Sequence, residues 1–155
     1  MNARLAYTLE AKLVPWGPYV SPKAKVVRTI VMRDDQTLAH LSLVLRAAFG
    51  WWMDDHLYAF WPDGTFWSRG ESYLHPYELE EAGKEGRSAE LPIGSAGLEL
   101  GQKVAYIFDF GDEWRVLLTV KAIEPADEGG YPRIQAGKGD PPPQYSPLGE
   151  DEPDS

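Results

Sequence analysis

The stretch "YIFDFGDEWRV", from Tyr106 to Val116, has the composition of a β-hairpin. Aromatic and β-branched residues, which favour strands, stand on both sides of a short polar connection. Gly111-Asp112 is a two-residue connection with glycine first, which is typical of a type II′ turn. A turn of this type would place Phe108 opposite Arg115. The stretch therefore predicts two long antiparallel strands joined by a tight turn.

The acids of this hairpin require a separate explanation. In the predicted register, Asp109 lies at a strand end opposite Trp114, where an acid is a poor strand former. We expect its carboxylate to accept hydrogen bonds from backbone N–H groups or from the Trp114 indole. Catalytic or metal-binding use and simple solvation of Asp109 are the alternatives. Asp112 is interpreted as a turn residue.

The N-terminal part of the sequence predicts two strands and one helix. "LAYTLEAKLVP" alternates, and "KVVRTIVMR" is rich in branched residues, so they are expected to be antiparallel neighbours. Apolar residues at helical spacing then predict a helix, with Thr37 or Asp35 at its start and Gly50 after its end. The first strand is expected to turn one face to the core with Leu5, Tyr7, Leu9, Ala11 and Leu13, and the helix with Leu38, Leu41, Leu45 and Ala48.

The remainder predicts two hairpins separated by a loop. The first spans His56–Arg69, with a turn at Pro62-Asp63-Gly64. Residues 71–100 are expected to be mostly loop, with one short helix near Tyr77–Ala82. The last and longest hairpin is Lys103–Pro125. Beyond it, we expect an ordered segment near residues 131–133 and a disordered tail.

This element order predicts an α+β fold with an antiparallel or mixed sheet, which could curl toward a barrel, and one main helix packed on it. We assign residues 1–140 to a single domain and residues 141–155 to an acidic, proline-rich tail. A chain of 155 residues is long enough for a core without disulfides, and it contains no cysteine.

Composition limits the function. The net charge of −9 opposes binding to nucleic acid, although residues 1–33 carry six basic residues against one acid. That basic face is the only one available for a nucleic acid. No apolar run is long enough to cross a membrane, and the N-terminus does not read as a signal peptide. We therefore expect a cytoplasmic protein. The basic candidates are Lys12, Lys23, Lys25, Arg28 and Arg33.

Aromatic residues supply the candidate ligand site. Four of the six tryptophans lie between Trp51 and Trp67, and a partly exposed aromatic groove could bind a ligand. The three-residue run at 54–56, Asp-Asp-His, could seed a metal site, but neighbours on a strand point to opposite faces. We predict no catalytic residue, no metal and no cofactor. The candidate ligand-binding residues are Trp51, Trp52, His56, Trp61, Trp67, Asp109, Asp112 and Trp114.

Four motifs, in this order, resemble the plasmid pRiA4b ORF-3-like family: T-L-x-x-L running into A-F-G-W, then H-L-x-x-F, then D-F-G-D-x-W, then Y-P-x-x-x-x-G. The resemblance covers about 135 residues. The matching residues are Thr37, Leu38, Leu41, Ala48, Phe49, Gly50, Trp51, His56, Leu57, Phe60, Asp109, Phe110, Gly111, Asp112, Trp114, Tyr131, Pro132 and Gly137.

The chain departs from the family pattern at three places. Val27 replaces the tryptophan of a P-P-x-W-R-R stretch, with Arg28 kept, and Val116 replaces a frequent histidine. The cysteines of many family tails are absent. The resemblance links the chain to mobile elements, and some relatives have been called resolvases. Ser21 is the only early serine here, without the motif that a resolvase needs.

Three functions follow as hypotheses. The leading one is a non-enzymatic binding module that recognises a protein or a small ligand. The second is a carboxylate- or metal-dependent hydrolase built on Asp109, Asp112 and His56. The third is an accessory protein that associates with nucleic acid, although we do not expect nucleic acid or a membrane as a partner. A monomer and a homodimer are both compatible with the sequence.

Overall fold

In the described part of the chain, eight strands form one sheet, and one α-helix lies against a face of it. The computed structural model describes residues 3–18, 20–51, 56–75 and 86–141. A short 3-10 turn, Ile93–Ser95, precedes the last hairpin. The elements are β1 (Leu5–Val14), β2 (Val27–Arg33), α1 (Leu38–Phe49), β3 (Tyr58–Trp61), β4 (Ser72–Leu74), β5 (Gly86–Ser88), β6 (Lys103–Phe108), β7 (Trp114–Pro125) and β8 (Arg133–Lys138).

The sheet is mixed and open. Its strands follow the order β5-β4-β3-β6-β7-β1-β2-β8. β4 and β5 run parallel, and the other paired neighbours are antiparallel. β5 and β8 form the two edges and do not pair with each other. A mixed sheet with one helix is therefore confirmed, whereas a curl toward a barrel is not supported.

Side-chain alternation along the strands separates two apolar layers. On the helix side, β1 buries Leu9, Ala11 and Leu13, as predicted, whereas Leu5 is 37% exposed. The largest fully buried side chains include Trp51, Trp114, Tyr106, Phe49, Phe60 and Phe108. On the opposite face lies a smaller cluster of Ala59, Trp61, Leu74, Ala105 and Ile107, under Phe66 and Phe110. We call this opposite side the outer face.

The helix begins and ends where the sequence predicts. Thr37 is the N-cap, and its hydroxyl accepts a hydrogen bond from the backbone N–H of His40 at 3.0 Å. Gly50 follows the last turn with φ 82°, a left-handed conformation that glycine adopts without steric cost. In the part of the chain that the structure describes, no helix combines the length and apolarity needed to span a bilayer.

We expect Thr37→Ala to lower the free energy of unfolding by about 1 kcal/mol, because the His40 N–H loses its side-chain acceptor. Thr37→Ser keeps a hydroxyl and serves as the control. Urea denaturation followed by circular dichroism measures both. Equal stability of the two variants would show that the cap contributes nothing.

Two strand predictions need correction. The predicted hairpin His56–Arg69 is wrong in its second half, because β3 pairs instead with β4, beyond Arg69. Residues 62–71 build a loop in which the Asp63 carboxylate accepts bonds from the Thr65 N–H and the Ser68 hydroxyl. These local bonds replace strand pairing. The short helix expected near Tyr77–Ala82 lies outside the described residues, as do residues 142–155 of the expected tail.

The second correction is β8, which the sequence did not predict as a strand. It pairs with β2, with Ile134 opposite Ile30. A Cβ atom at Gly137 would collide with the carbonyl oxygen of Val27. The family glycine at this position therefore permits close approach of two backbones, a contact that single-sequence periodicity does not report.

Candidate functional site

The Asp109–Glu113 loop joins β6 to β7, and its register differs from the prediction. Phe108 pairs with Trp114, not with Arg115, so the connection has five residues instead of two. Asp109 and Glu113 adopt left-handed φ values of 69° and 55°, and Gly111 does not. The predicted type II′ turn at Gly111 is therefore wrong. The two ends of the loop are joined by a hydrogen bond from the Glu113 N–H to the Asp109 carbonyl at 2.6 Å.

Asp109 holds this loop together from inside. Its side chain is buried, and its Oδ1 accepts hydrogen bonds from the backbone N–H groups of Gly111 at 3.0 Å and of Asp112 at 3.3 Å. The structure therefore shows the predicted hydrogen bonds from backbone N–H groups to the Asp109 carboxylate. The Oδ2 atom lies 3.5 Å from His56 Nε2. One carboxylate thus connects the loop to the chain segment before β3.

Of the metal site considered at residues 54–56, only His56 lies within the described residues. His56 and Asp109 converge, but no group of three His, Asp or Glu side chains in the described ranges is arranged to hold a metal ion. Asp54, Asp55 and the candidate Trp52 lie outside the described residues. One oxygen of Asp109 is occupied by N–H groups, which favours a structural over a catalytic use of this acid.

Most predicted tryptophans are core residues. Trp51 and Trp114 are 0% and 1% exposed, and their rings stack with centroids 5.1 Å apart. Trp61 is buried on the outer face. Trp67 is 45% exposed, and Trp16, which sequence reasoning did not select, is 47% exposed. Only Trp67 of the predicted tryptophans in the described ranges therefore reaches the surface.

Trp16 contacts Arg115 directly, and Trp67 is connected to Arg115 through Glu113. The Arg115 guanidinium stacks over the Trp16 ring at 3.6 Å and lies 5.0 Å from the Phe66 ring centroid. Stacking of this kind is favourable because the ring face is electronegative. Arg115 follows the buried Trp114 on β7, so strand alternation turns it to the outer face. That alternation was the signal that could have identified Arg115 from the sequence.

Glu113 connects the guanidinium to the second exposed tryptophan. Its Oε1 accepts hydrogen bonds from Arg115 Nη2 at 2.7 Å, from Arg115 Nε at 3.0 Å and from Trp67 Nε1 at 3.1 Å. The Trp67 ring also lies against Phe110, with centroids 5.0 Å apart. We call this assembly of Trp16, Phe66, Trp67, Phe110, Glu113 and Arg115 the Arg115 surface.

Backbone strain is concentrated at the same place. Within the described ranges, the non-glycine residues with positive φ are Trp67, Asp109 and Glu113. A bulky residue such as tryptophan rarely adopts this conformation, and each such residue costs of order 1–3 kcal/mol unless its surroundings enforce it. Here the Glu113 carboxylate fixes Trp67, and the Asp109 carboxylate fixes the loop. Two strained residues thus belong to the Arg115 surface, and the third supports it.

The predicted basic face is partly occupied by internal contacts. The Arg28 guanidinium donates to four backbone carbonyls, those of Val27, Ala48, Lys138 and Gly139. Arg33 donates to Asp35 at 2.7 Å, and this hydrogen bond lowers the pKa of Asp35 and raises the pKa of Arg33. Of this set, Lys12, Lys23 and Lys25 are the exposed cations.

A concavity of about 230 Å³ lies between α1 and β3. Its lining includes Ser42, Arg46, Tyr58 and His75. The Ser42 hydroxyl lies 2.6 Å from the Tyr106 hydroxyl, and Arg46 Nε donates to the Trp51 carbonyl at 3.1 Å. These bonds tie the polar lining into the core, so we regard the Arg115 surface as the stronger candidate.

Comparisons with known proteins identify relatives by sequence and by fold. The family model described as plasmid pRiA4b ORF-3-like protein matches residues 20–146. No curated protein matches significantly. The crystal structure of the protein of unknown function MM3350 from Methanosarcina mazei Go1 superposes with a TM-score of 0.72 at 23% identity. The match covers 94% of this chain and 76% of that one, and at this identity it shows the fold alone.

Proposed function

The chain belongs to the plasmid pRiA4b ORF-3-like family, and from that premise we propose that it is a non-enzymatic binding module that recognises another protein through the Arg115 surface. The observation that carries the proposal is the state of Trp67. This residue is 45% exposed and is held at φ 57° by its bond to Glu113. Folding tolerates both an exposed indole and a strained backbone at one position, which is typical of functional surfaces.

The composition of the surface fits protein recognition. Tryptophan and arginine are enriched among the residues that dominate binding free energy at protein interfaces. In the described chain the other tryptophans, Trp51, Trp61 and Trp114, are buried, whereas Trp16 and Trp67 are close to half exposed. A partner that covers these two rings would remove apolar area from water and gain roughly 25 cal/mol per Å² before the costs of association.

The surface is also ordered before it binds. Arg115 is fixed between Trp16, Phe66 and Glu113, and Glu113 also fixes Trp67. Side chains that are already immobile lose little rotamer freedom on association, a loss that otherwise costs about 0.5–1.5 kcal/mol for each long side chain. The ion pair therefore acts as a support for the two exposed rings.

Charge indicates the nature of the partner. The chain carries a net charge of −9, so a partner with a positively charged face associates faster and more tightly than a neutral one. We expect the affinity for that partner to fall as salt is raised from low to physiological concentration, because salt screens exposed charges. An affinity independent of salt would indicate a purely apolar contact.

The test compares the double variant Trp16→Ala/Trp67→Ala with Leu100→Ala. Leu100 is 68% exposed and lies in the turn before β6, so it controls for loss of an exposed apolar side chain. Each protein is immobilised, and partners captured from the source cell extract are identified and then titrated in purified form. We expect the tryptophan variant to weaken binding at least about 100-fold, or about 2.7 kcal/mol, and Leu100→Ala to leave it unchanged.

Circular dichroism verifies that the variants are folded. A partner that binds the tryptophan variant as well as the wild type would refute the Arg115 surface as the interface. The hydrolase and nucleic-acid alternatives remain hypotheses with their own measurements. Activity that disappears in His56→Ala while the fold persists would support the first, and a gel shift lost in a Lys12, Lys23 and Lys25 triple alanine variant would support the second.

A further inference from the structure

β8 ends at the same end of the sheet as the Arg115 surface. The strand registers place four residues in one row across four strands: Lys138, Val27, Lys12 and Leu117. Arg115 lies just past this row, on the side toward which β1 and β8 both run. Neighbouring strands lie about 4.8 Å apart, so roughly 14 Å separates the end of β8 from β7. The chain that leaves β8 therefore starts close to the Arg115 surface.

The chain is fixed at this point beside two lysines. Gly139 follows β8, and a Cβ atom on it would collide with the carbonyl oxygen of Lys25, so the two backbones are in close contact. The Arg28 guanidinium donates hydrogen bonds to the carbonyls of Lys138 and Gly139. Lys23 precedes Lys25 by two residues. The chain after Gly139 therefore emerges next to Lys25 and close to Lys23.

Exposed positive charge is concentrated at this end of the sheet. Residues 11–33 contain no Asp or Glu. Lys12, Lys23 and Lys25 are exposed, and none of them forms an ion pair within the described ranges. Lys12 lies between two buried residues of β1, so its side chain is on the outer face, like that of Arg115. We call Lys12, Lys23 and Lys25 the lysine patch, and in a chain of net charge −9 it attracts negatively charged groups.

The C-terminal tail of the same chain has the opposite charge. Residues 142–155, which lie outside the described residues, contain no Lys, Arg or His. They carry four acids and four prolines: Glu150, Asp151, Glu152 and Asp154, and Pro142, Pro143, Pro147 and Pro153. Proline-rich segments bind to exposed aromatic rings with little loss of conformational entropy, and Trp16 offers such a ring. The tail therefore complements this end of the sheet both in charge and in its proline content.

We propose that this tail binds back onto its own domain, where it covers Trp16 in the Arg115 surface and sets its acidic run against the lysine patch. From Pro141 to Glu150 the chain can extend by about 28 Å, at roughly 3.1 Å per residue, which is about twice the separation of β8 from β7. A contact within one copy is therefore within reach, and attachment to the domain raises the effective concentration of the tail to the order of mM. A partner that binds the Arg115 surface must then displace the tail. This regulation rests on the proposed function, whereas the docking of the tail is observable without any partner.

Two full-length variants test the docking by NMR of the indole N–H groups. The tail variant neutralises the acidic run with Glu150→Gln, Asp151→Asn, Glu152→Gln and Asp154→Asn. The control variant removes the same number of charges at exposed sites of the domain with Glu90→Gln, Glu99→Gln, Glu124→Gln and Glu128→Gln. We expect the Trp16 signal to move in the tail variant and to keep its position in the control variant. Unchanged signals of the buried Trp51 and Trp114 verify that the domain is intact.

Salt and dilution sharpen the test. Salt screens the contact between opposite charges, so added salt is expected to move the Trp16 signal of the wild type toward that of the tail variant. A contact within one copy leaves the signal independent of protein concentration. A Trp16 signal that is the same in the wild type and the tail variant would overturn the proposal. So would a signal that moves on dilution, because the tail would then come from a second copy.

Affinity for the partner tests the regulation separately. The tail variant and the control variant carry the same net charge, so a difference between them reports on the tail. We expect the tail variant to bind the partner with a Kd at least about threefold lower, because the competent surface is no longer partly covered. Equal values of Kd would contradict competition by the tail. If Trp16→Ala/Trp67→Ala left partner binding unchanged, the proposed function would fail, while the NMR result would still decide whether the tail docks.

Discussion

Trp114→Ala is expected to lower the free energy of unfolding by about 3–5 kcal/mol, the typical range for truncation of a buried large aromatic residue. Trp114 is 1% exposed, and its ring stacks on Trp51. Trp51 in turn stacks on Phe49 of α1 and on Phe108 of β6. Removing the Trp114 ring leaves a void at the contact between helix and sheet, where rigid neighbours cannot fully collapse. Urea denaturation provides the measurement.

The matched control is the same truncation of tryptophan to alanine at a half-exposed site. Trp16→Ala removes an identical ring that is 47% exposed, and we expect it to cost less than about 1 kcal/mol. Trp114→Phe should cost less than Trp114→Ala, since part of the void is filled. If Trp16→Ala and Trp114→Ala were equally destabilising, burial would not be the cause of the effect.

Asp109→Ala is expected to lower the free energy of unfolding by about 2–3 kcal/mol. The substitution leaves the N–H groups of Gly111 and Asp112 without their acceptor, which costs roughly 1–3 kcal/mol in a buried setting. It also places alanine at φ 69°, a conformation that Asp and Asn tolerate better. Thermal and urea unfolding measure the loss.

Two variants separate these causes. Asp109→Asn keeps an oxygen acceptor and tolerates the left-handed conformation, so we expect a loss below about 1 kcal/mol. Gly111→Ala is expected to be close to neutral, because Gly111 has no positive φ and a Cβ there meets Asp109 Oδ1 at 3.4 Å. An Asp109→Ala protein that unfolds like the wild type but no longer binds its partner would assign the acid to the binding surface instead.

The sequence alone determined the parts of this protein that depend on local chemistry. The helix Leu38–Phe49 was predictable because apolar spacing, the Thr37 cap and Gly50 all act within a few residues. The pairing of β1 with β2 and of β6 with β7 was also predicted, because strands that follow each other along the chain are neighbours in most sheets. Family membership was recognised from motifs that occur in order along the chain.

The tertiary structure decided the register, the edges and the exposure of each ring. The Asp109 carboxylate accepts hydrogen bonds from backbone N–H groups within a five-residue loop. This loop shifts the pairing of β6 with β7 by one residue from the predicted register. β8 is a strand because it pairs with β2, and a glycine, Gly137, permits the close approach of the two backbones.

Trp114 and Trp67 illustrate what could not be predicted from the sequence about the candidate site. Both are tryptophans beside strand-forming residues, yet one is fully buried and the other is half exposed. Alternation predicts opposite faces for Trp114 and Arg115, but it does not say that Trp16 and Phe66 contact Arg115 or that Glu113 connects Trp67 to it. Those contacts join segments up to about a hundred residues apart along the chain. Such contacts depend on the packing of the whole sheet, which no local pattern encodes.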